Sequence, residues 1–137
     1  SCPEPGEAGR STVEGVDSDN DGLRDDVQRE IASIASGDIQ REVTLKKAAS
    51  SYQNIATGPI DRAQSVVFMR ASLDHFDCYL YQTDFSDQAI KDFGRLKAKV
   101  YNTKERFFNS LKSMDDFSGE VVNVSLDRQE YAQKCSN

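Results

Sequence analysis

The chain has 137 residues, 37% of them hydrophobic and 29% charged. That composition suits one globular domain burying about two-thirds of its unfolded surface. Its net charge of −6 at pH 7 argues against nucleic acid as the main partner, because phosphate binding needs a basic surface. No apolar run approaches the ~20 residues that span a bilayer.

Residues 1–16 read as a flexible N-terminal tether. Pro3, Pro5, Gly6, Gly9 and Gly15 interrupt any helix, and few apolar residues offer a face to bury. Residues 17–137 read as a single helical domain, which opens on DSDNDGLRDD (residues 17–26). Five aspartates within ten residues repel one another strongly unless a cation sits among them. One or two would suffice to cap a helix.

Calcium is the cation this spacing suits. It takes six to eight oxygens around a sharply turned loop, and residues 17–28 match a twelve-position loop. Asp17, Asp19 and Asp21 fall at positions 1, 3 and 5. Gly22 takes position 6, where the turn needs a left-handed backbone. Leu23 takes position 7, which offers only its carbonyl, so its side chain can face the core. Asp25 takes position 9 and Gln28 position 12. A bidentate glutamate at position 12 is what an EF-hand uses; an amide gives one neutral oxygen. Either Asp25 binds directly, or Asp26 contributes by a local shift. Fewer charges at this end imply weaker binding, on the scale of extracellular calcium. One site with one exiting helix implies a structural role: the ion folds the loop, fixes the start of the helix and seats Leu23.

The loop resembles the DxDxDG calcium loops of bacterial secreted and cell-surface proteins, and is similar to thrombospondin type 3 repeats and dockerin loops. It lacks the entering helix of an EF-hand. DSDNDGLRDDVQREI also looks like the opening of bacterial envelope lipoproteins, in which such a loop leads into a helix. Near the terminus, Cys2 followed by PEPGEAG resembles a mature lipoprotein, whose first cysteine carries the lipid and is followed by a polar tether. The resemblance covers about a tenth of the chain. It implies calcium, a periplasmic or cell-surface location and a lipid on Cys2. A thiol at Cys2 is the alternative.

Four helices are predicted next. Leu23, Val27, Ile31 and Ile34 lie at helical spacing and end at Gly37. Asp38 caps a second helix with Leu45, Ala48, Tyr52 and Ile55 on one face. Gly58 and Pro59 separate it from a third over about 60–82, with Pro59 in its first turn. Val66, Met69, Leu73, Phe76 and Leu80 make that third helix the most apolar, which predicts a central position. Ser86 caps a fourth over about 87–113. Its expected buried stripe is Ile90, Phe93, Leu96, Val100, Phe107 and Leu111, with Lys91, Arg95, Lys99 and Arg106 on the solvent side. Residues 88–112 carry seven bases and two acids, a solvated face or a contact for an acidic partner or anionic lipid surface. Val122, Val124 and Leu126 alternate like a short strand, and a last helical turn or two fits Asp127–Lys134. Asn123-Val124-Ser125 matches a glycosylation sequon, a frequent chance occurrence. The expected fold is all-α: an antiparallel bundle of about four helices with an irregular C-terminal tail.

With Cys2 set aside, Cys78 and Cys135 remain as a pair. Oxidised, they would close a loop of more than fifty residues, a bond that persists in periplasmic or extracellular space; two buried thiols are the other possibility. No Cys-x-x-Cys or Cys/His cluster suggests zinc. His75, the one histidine, has no nucleophile motif beside it, and no glycine loop cradles phosphate. No catalytic residue is assigned.

Two functional readings result. The first is a non-enzymatic, extracytoplasmic calcium-binding helical protein that contacts another envelope or secreted protein, with membrane anchoring through Cys2. The basic face and aromatics such as Tyr101 and Phe108 are its candidate contacts. The alternative is a hydrolase-type enzyme whose calcium orders its site. Oligomeric state has no signature in the sequence.

Overall fold

The computed structural model describes residues 8–122 and 127–136. Cys2, Asn123, Val124, Ser125 and Leu126 lie outside these, and with them the lipidation, sequon and short-strand expectations. The described residues form six helices and no strand: α1 (Asp25–Ala35), α2 (Ile39–Ala56), α3 (Arg62–Gln82), α4 (Asp87–Val100), α5 (Lys104–Phe117) and α6 (Arg128–Lys134). The described residues are all-helical, with six helices where about four were expected.

Local chemistry sets the boundaries. α1 starts where the Asp25 N–H donates to Val16 O at 2.8 Å, with Asp25 and Asp26 in the first turn, where the helix dipole favours anions. It ends in a left-handed Ser36 (φ 50°) followed by Gly37 (φ 90°). Asp38 caps α2 by accepting from Arg41 N, and Ser86 caps α4 by accepting from Gln88 N. α3 begins after Pro59 rather than on it, because Asp61 and Gln64 form a reciprocal capping box there. Asp127 and Glu130 repeat the device at α6.

The central helix is α2, not α3. α2 touches α1, α3, α4 and α5, and it buries Leu45, Ala48, Ala49, Tyr52, Ile55 and Ala56. On α3 the fully buried residues are Ser65, Ser72 and Tyr79, while Met69, Leu73 and Phe76 are only half-buried. The reason is that α4 packs mainly on α1 and α2, which leaves a cleft over α3. Val27, Ile31, Leu45, Phe93, Leu96 and Val100 complete the core. The Phe93 ring meets those of Phe76, Tyr79 and Tyr52 at 4.9, 5.2 and 6.4 Å.

The expected fourth helix is two. It breaks at Tyr101–Asn102, and Thr103 caps α5 by accepting from Arg106 N. The break shifts the helical phase. Beyond it Phe107 and Leu111 are exposed rather than buried; on α4, ahead of the break, Phe93, Leu96 and Val100 are buried as expected and Ile90 is exposed. Arg106, expected on the solvent side, is fully buried.

Arg106 and Arg24 hold the N-terminal end of the domain. Arg106 donates to Gly9 O (2.6 Å), Thr12 O (3.0 Å), Val13 O (3.1 Å) and Asn102 Oδ1 (2.6 Å). The described part of the 1–16 segment therefore lies against α5. Arg24, also buried, donates to both carboxylate oxygens of Asp26 (2.9 and 3.2 Å) and to Val100 O (2.8 Å) and Lys99 O (2.7 Å). A guanidinium fork suits this, satisfying a carboxylate and the orphan carbonyls at the end of α4 together. Burial pushes the Asp26 carboxyl up, but the bonds and charge of Arg24, then Asn102 and Arg106, hold it below the ordinary value. Burial, then the charge of Arg24, draws the Arg106 guanidinium down.

Gly15 passes between the two arginines. Its φ is +69°, and a Cβ there would lie 2.8 Å from both Arg106 Nη2 and Arg24 Cδ. Gly15→Ala should therefore cost at least the ~1–2 kcal/mol of a left-handed L-residue, read as a lower urea midpoint at unchanged m-value. An unchanged midpoint would mean that residues 8–16 do not hold this path.

Candidate metal centre

Between Val16 and the start of α1 the chain makes a tight acidic loop. Asn20 (φ 57°) and Gly22 (φ 91°) adopt left-handed backbone, which lets the loop turn back on itself. Asp17 accepts from Gly22 N at 2.9 Å and from Asp21 N at 3.3 Å. Asp19 accepts from Asp21 N at 3.3 Å, and Asp21 from Leu23 N at 2.9 Å. These bonds pull successive carboxylates toward one centre. Asp17, Asp19 and Asp21 each offer an oxygen within 4.8 Å of the others, a group that could hold a metal ion. Oxygens bound to one calcium at 2.3–2.6 Å can be no farther apart than about 5 Å, so the three fit around a single ion.

Crowding shows in the acids themselves. The Gln28 amide beside Asp19 holds that carboxyl below the usual range. Burial and the neighbouring Asp19 and Asp17 push that of Asp21 up.

The remaining expected ligands are placed as follows. Leu23 buries its side chain in the core. Gln28 donates from Nε2 to Asp19 Oδ2 at 3.1 Å, and its Oε1 is buried without a hydrogen-bond partner. Such an orphaned acceptor is costly where it faces only protein, and a cation would satisfy it. Asp25 is buried, and its carboxylate accepts from Ser18 N (2.9 Å) and Ser18 Oγ (2.5 Å), bracing the loop from behind. Asp26 is engaged by Arg24 and Asn102. The site thus brings together Asp17, Asp19, Asp21 and Gln28, with Asp25 and Asp26 bonded to other groups.

Sequence reasoning missed Gln53 on α2. Its Nε2 donates to Gly22 O (2.8 Å), and its Oε1 accepts from Arg24 N (3.0 Å). One amide thereby clamps the loop to the central helix. No sequence signal could have found it, because the pairing spans about thirty residues. No helix precedes the loop among the described residues.

Elsewhere, Cys78 on α3 and Cys135 after α6 form a disulfide. His75 is half-buried on α3, and burial and then Lys47 draw its pKa below the ordinary value. Phe108 is exposed as expected, but Tyr101 packs edge-on against Tyr52, ring centroids 5.9 Å apart. The basic face is smaller than its seven bases suggested: Arg106 is buried, Arg95 pairs with Glu30, and Lys112 pairs with Asp116. Among the described residues, no helix is long and apolar enough to cross a membrane.

No family model, curated protein or solved structure matches the chain, so the reading of its site rests on its own residues.

Proposed function

We propose that the protein is a non-enzymatic, extracytoplasmic helical module stabilised by one structural calcium ion, which contacts another envelope or secreted protein. The observation that carries the calcium reading is the convergence of Asp17, Asp19 and Asp21 beside the orphaned Gln28 Oε1. All four are hard oxygen donors, as calcium prefers. Magnesium suits the loop less well, since it gives up its water reluctantly. The Cys78–Cys135 bond supports a location in an oxidising compartment. A lipid on Cys2 would place the module at a membrane surface, with exposed Lys91, Lys104 and Phe108 toward a partner.

The loop connects directly to the bundle. Gln53 grips it from α2, Arg24 links its exit to α4, and Leu23 enters the core. Occupancy should therefore stabilise the whole domain. Calorimetric titration of chelator-stripped protein should show one equivalent bound, with a Kd of roughly 10⁻⁴–10⁻³ M. Calcium at 100 times Kd should add about 2.7 kcal/mol to unfolding. Asp19→Ala should abolish both effects while keeping native circular dichroism in chelator. No heat and no rise in melting temperature at millimolar calcium would reduce the acid cluster to a solvated turn.

A further inference from the structure

The cleft left over α3 is a second candidate site. Two cavities lie side by side in it, of about 350 and 310 Å³. Both are lined by Tyr52, Leu73 and Lys97, so they adjoin. One continues toward Met69, Phe107 and Met114, the other toward Phe76, Ile90 and Gly94. Each volume lies in the range of small-ligand pockets. Along α4 the walls run from Ile90 to Ala98, about 12 Å at helical rise. The cleft is deep, for Tyr52, Phe93, Ser72 and Ser110 are all buried residues. A thin ligand can reach such a floor; a helix laid across the surface cannot.

The fold explains why this space exists. The break at Tyr101–Asn102 turns α5 away from the line of α4, and Gly94 leaves the α4 wall without a side chain. Chemically the lining is nearly all apolar or aromatic. Lys97 is the only charged side chain among the described residues that line it, and it stands where the two cavities meet. Its ammonium lies 5.9 Å from the centre of the Tyr52 ring, and it makes no ion pair among the described residues. An ammonium beside an apolar cavity favours an anionic head on an apolar tail.

We propose that this cleft binds a single-chain anionic amphiphile of the fatty-acid class, its acid group on Lys97 and its tail in the larger cavity, toward Met69, Phe107 and Met114. The site is separate from the acidic loop and does not depend on the calcium reading.

The chain's two methionines, Met69 and Met114, both line the larger cavity. Methyl-labelled methionine therefore gives a two-signal NMR spectrum in which each signal reports the cleft. Laurate would be titrated at micromolar concentrations, below its micelle threshold and low enough for its calcium salt to stay dissolved. Both methyl signals should move together and saturate at one equivalent. Lys97→Gln, at an exposed position, should weaken laurate binding at least tenfold, while neutral dodecanol should bind weakly to both proteins. Ala98→Phe, which fills the cleft from an exposed position, should abolish the shifts. Unmoved methyl signals would overturn the proposal. Dodecanol binding as tightly as laurate would remove the role of Lys97. Shifts with anionic phospholipid vesicles but not with laurate would make the cleft part of a membrane-facing surface instead.

Discussion

Arg24→Met should destabilise the domain by roughly 3–5 kcal/mol, the usual result of removing one partner from a buried ion pair. Arg24 and Asp26 are 1% and 7% exposed. Without the guanidinium, Asp26 keeps only the Asn102 amide and its bond from Val27 N, and Lys99 O and Val100 O lose their donor. Total stability in a domain of this size is commonly about 5–15 kcal/mol, so the variant should lose a large share of it. Lysine should not rescue it, being a point charge without a planar fork. Arg24→Met/Asp26→Leu should recover part of the loss, since no carboxylate is then left buried without its guanidinium. Urea unfolding of the single and double variants measures both terms. A single-variant loss below 1 kcal/mol would show that Arg24 is not the buried junction described.

Opening the disulfide should have a comparable effect. Cys78 and Cys135 are 57 residues apart, and closing a loop of that length is worth about 4 kcal/mol in the chain-entropy model. The consequence should be concentrated in α6. That helix packs on α3 through Tyr131 stacked on Tyr81, ring centroids 6.0 Å apart, and through Lys134 paired with Asp74 and Asp77 at 2.8 and 3.1 Å. Its seven residues are too few to be helical alone. In Cys78→Ser/Cys135→Ser, α6 should detach before the rest melts, so near-ultraviolet tyrosine signals should fall at lower denaturant than the helical signal. Coincident transitions at the wild-type midpoint would show that the bond contributes nothing to stability.

Much of the helical content was legible in the sequence. The spacing of Val27, Ile31 and Ile34 gave α1, and that of Leu45, Ala48, Tyr52 and Ile55 gave α2, because amphipathic periodicity is a local property. Asp38 and Ser86 were legible as caps for the same reason. The acidic loop was legible because carboxylates at alternate positions before a glycine leave few physical alternatives. Three features were not. The break after Tyr101 depends on Thr103 as a cap and on Arg24 holding the last carbonyls of α4, and the second of these is a contact across 75 residues. The burial of Arg106 follows from that break. The centrality of α2 was hidden because alanines and serines at its crossings carry little hydrophobic signal yet admit close neighbours. In the acidic loop the grouping of Asp17, Asp19 and Asp21 could be read from their spacing. The bonds from Ser18 to Asp25 and between Gln53 and the loop could not.

The two arginines also define how the domain would bear force. A pull on the chain at residue 8 would reach Arg106 first, through its bonds to Gly9, Thr12 and Val13. Asn102, which joins Arg106 to Arg24, would pass the load into α4 and α1. The acidic loop lies beyond this junction, so tension arriving from the N-terminal side would be diverted into the bundle before it could stretch the loop. A chain moored at that end would act as a leash with a built-in clamp, and its acidic loop would stay slack until the clamp gave way.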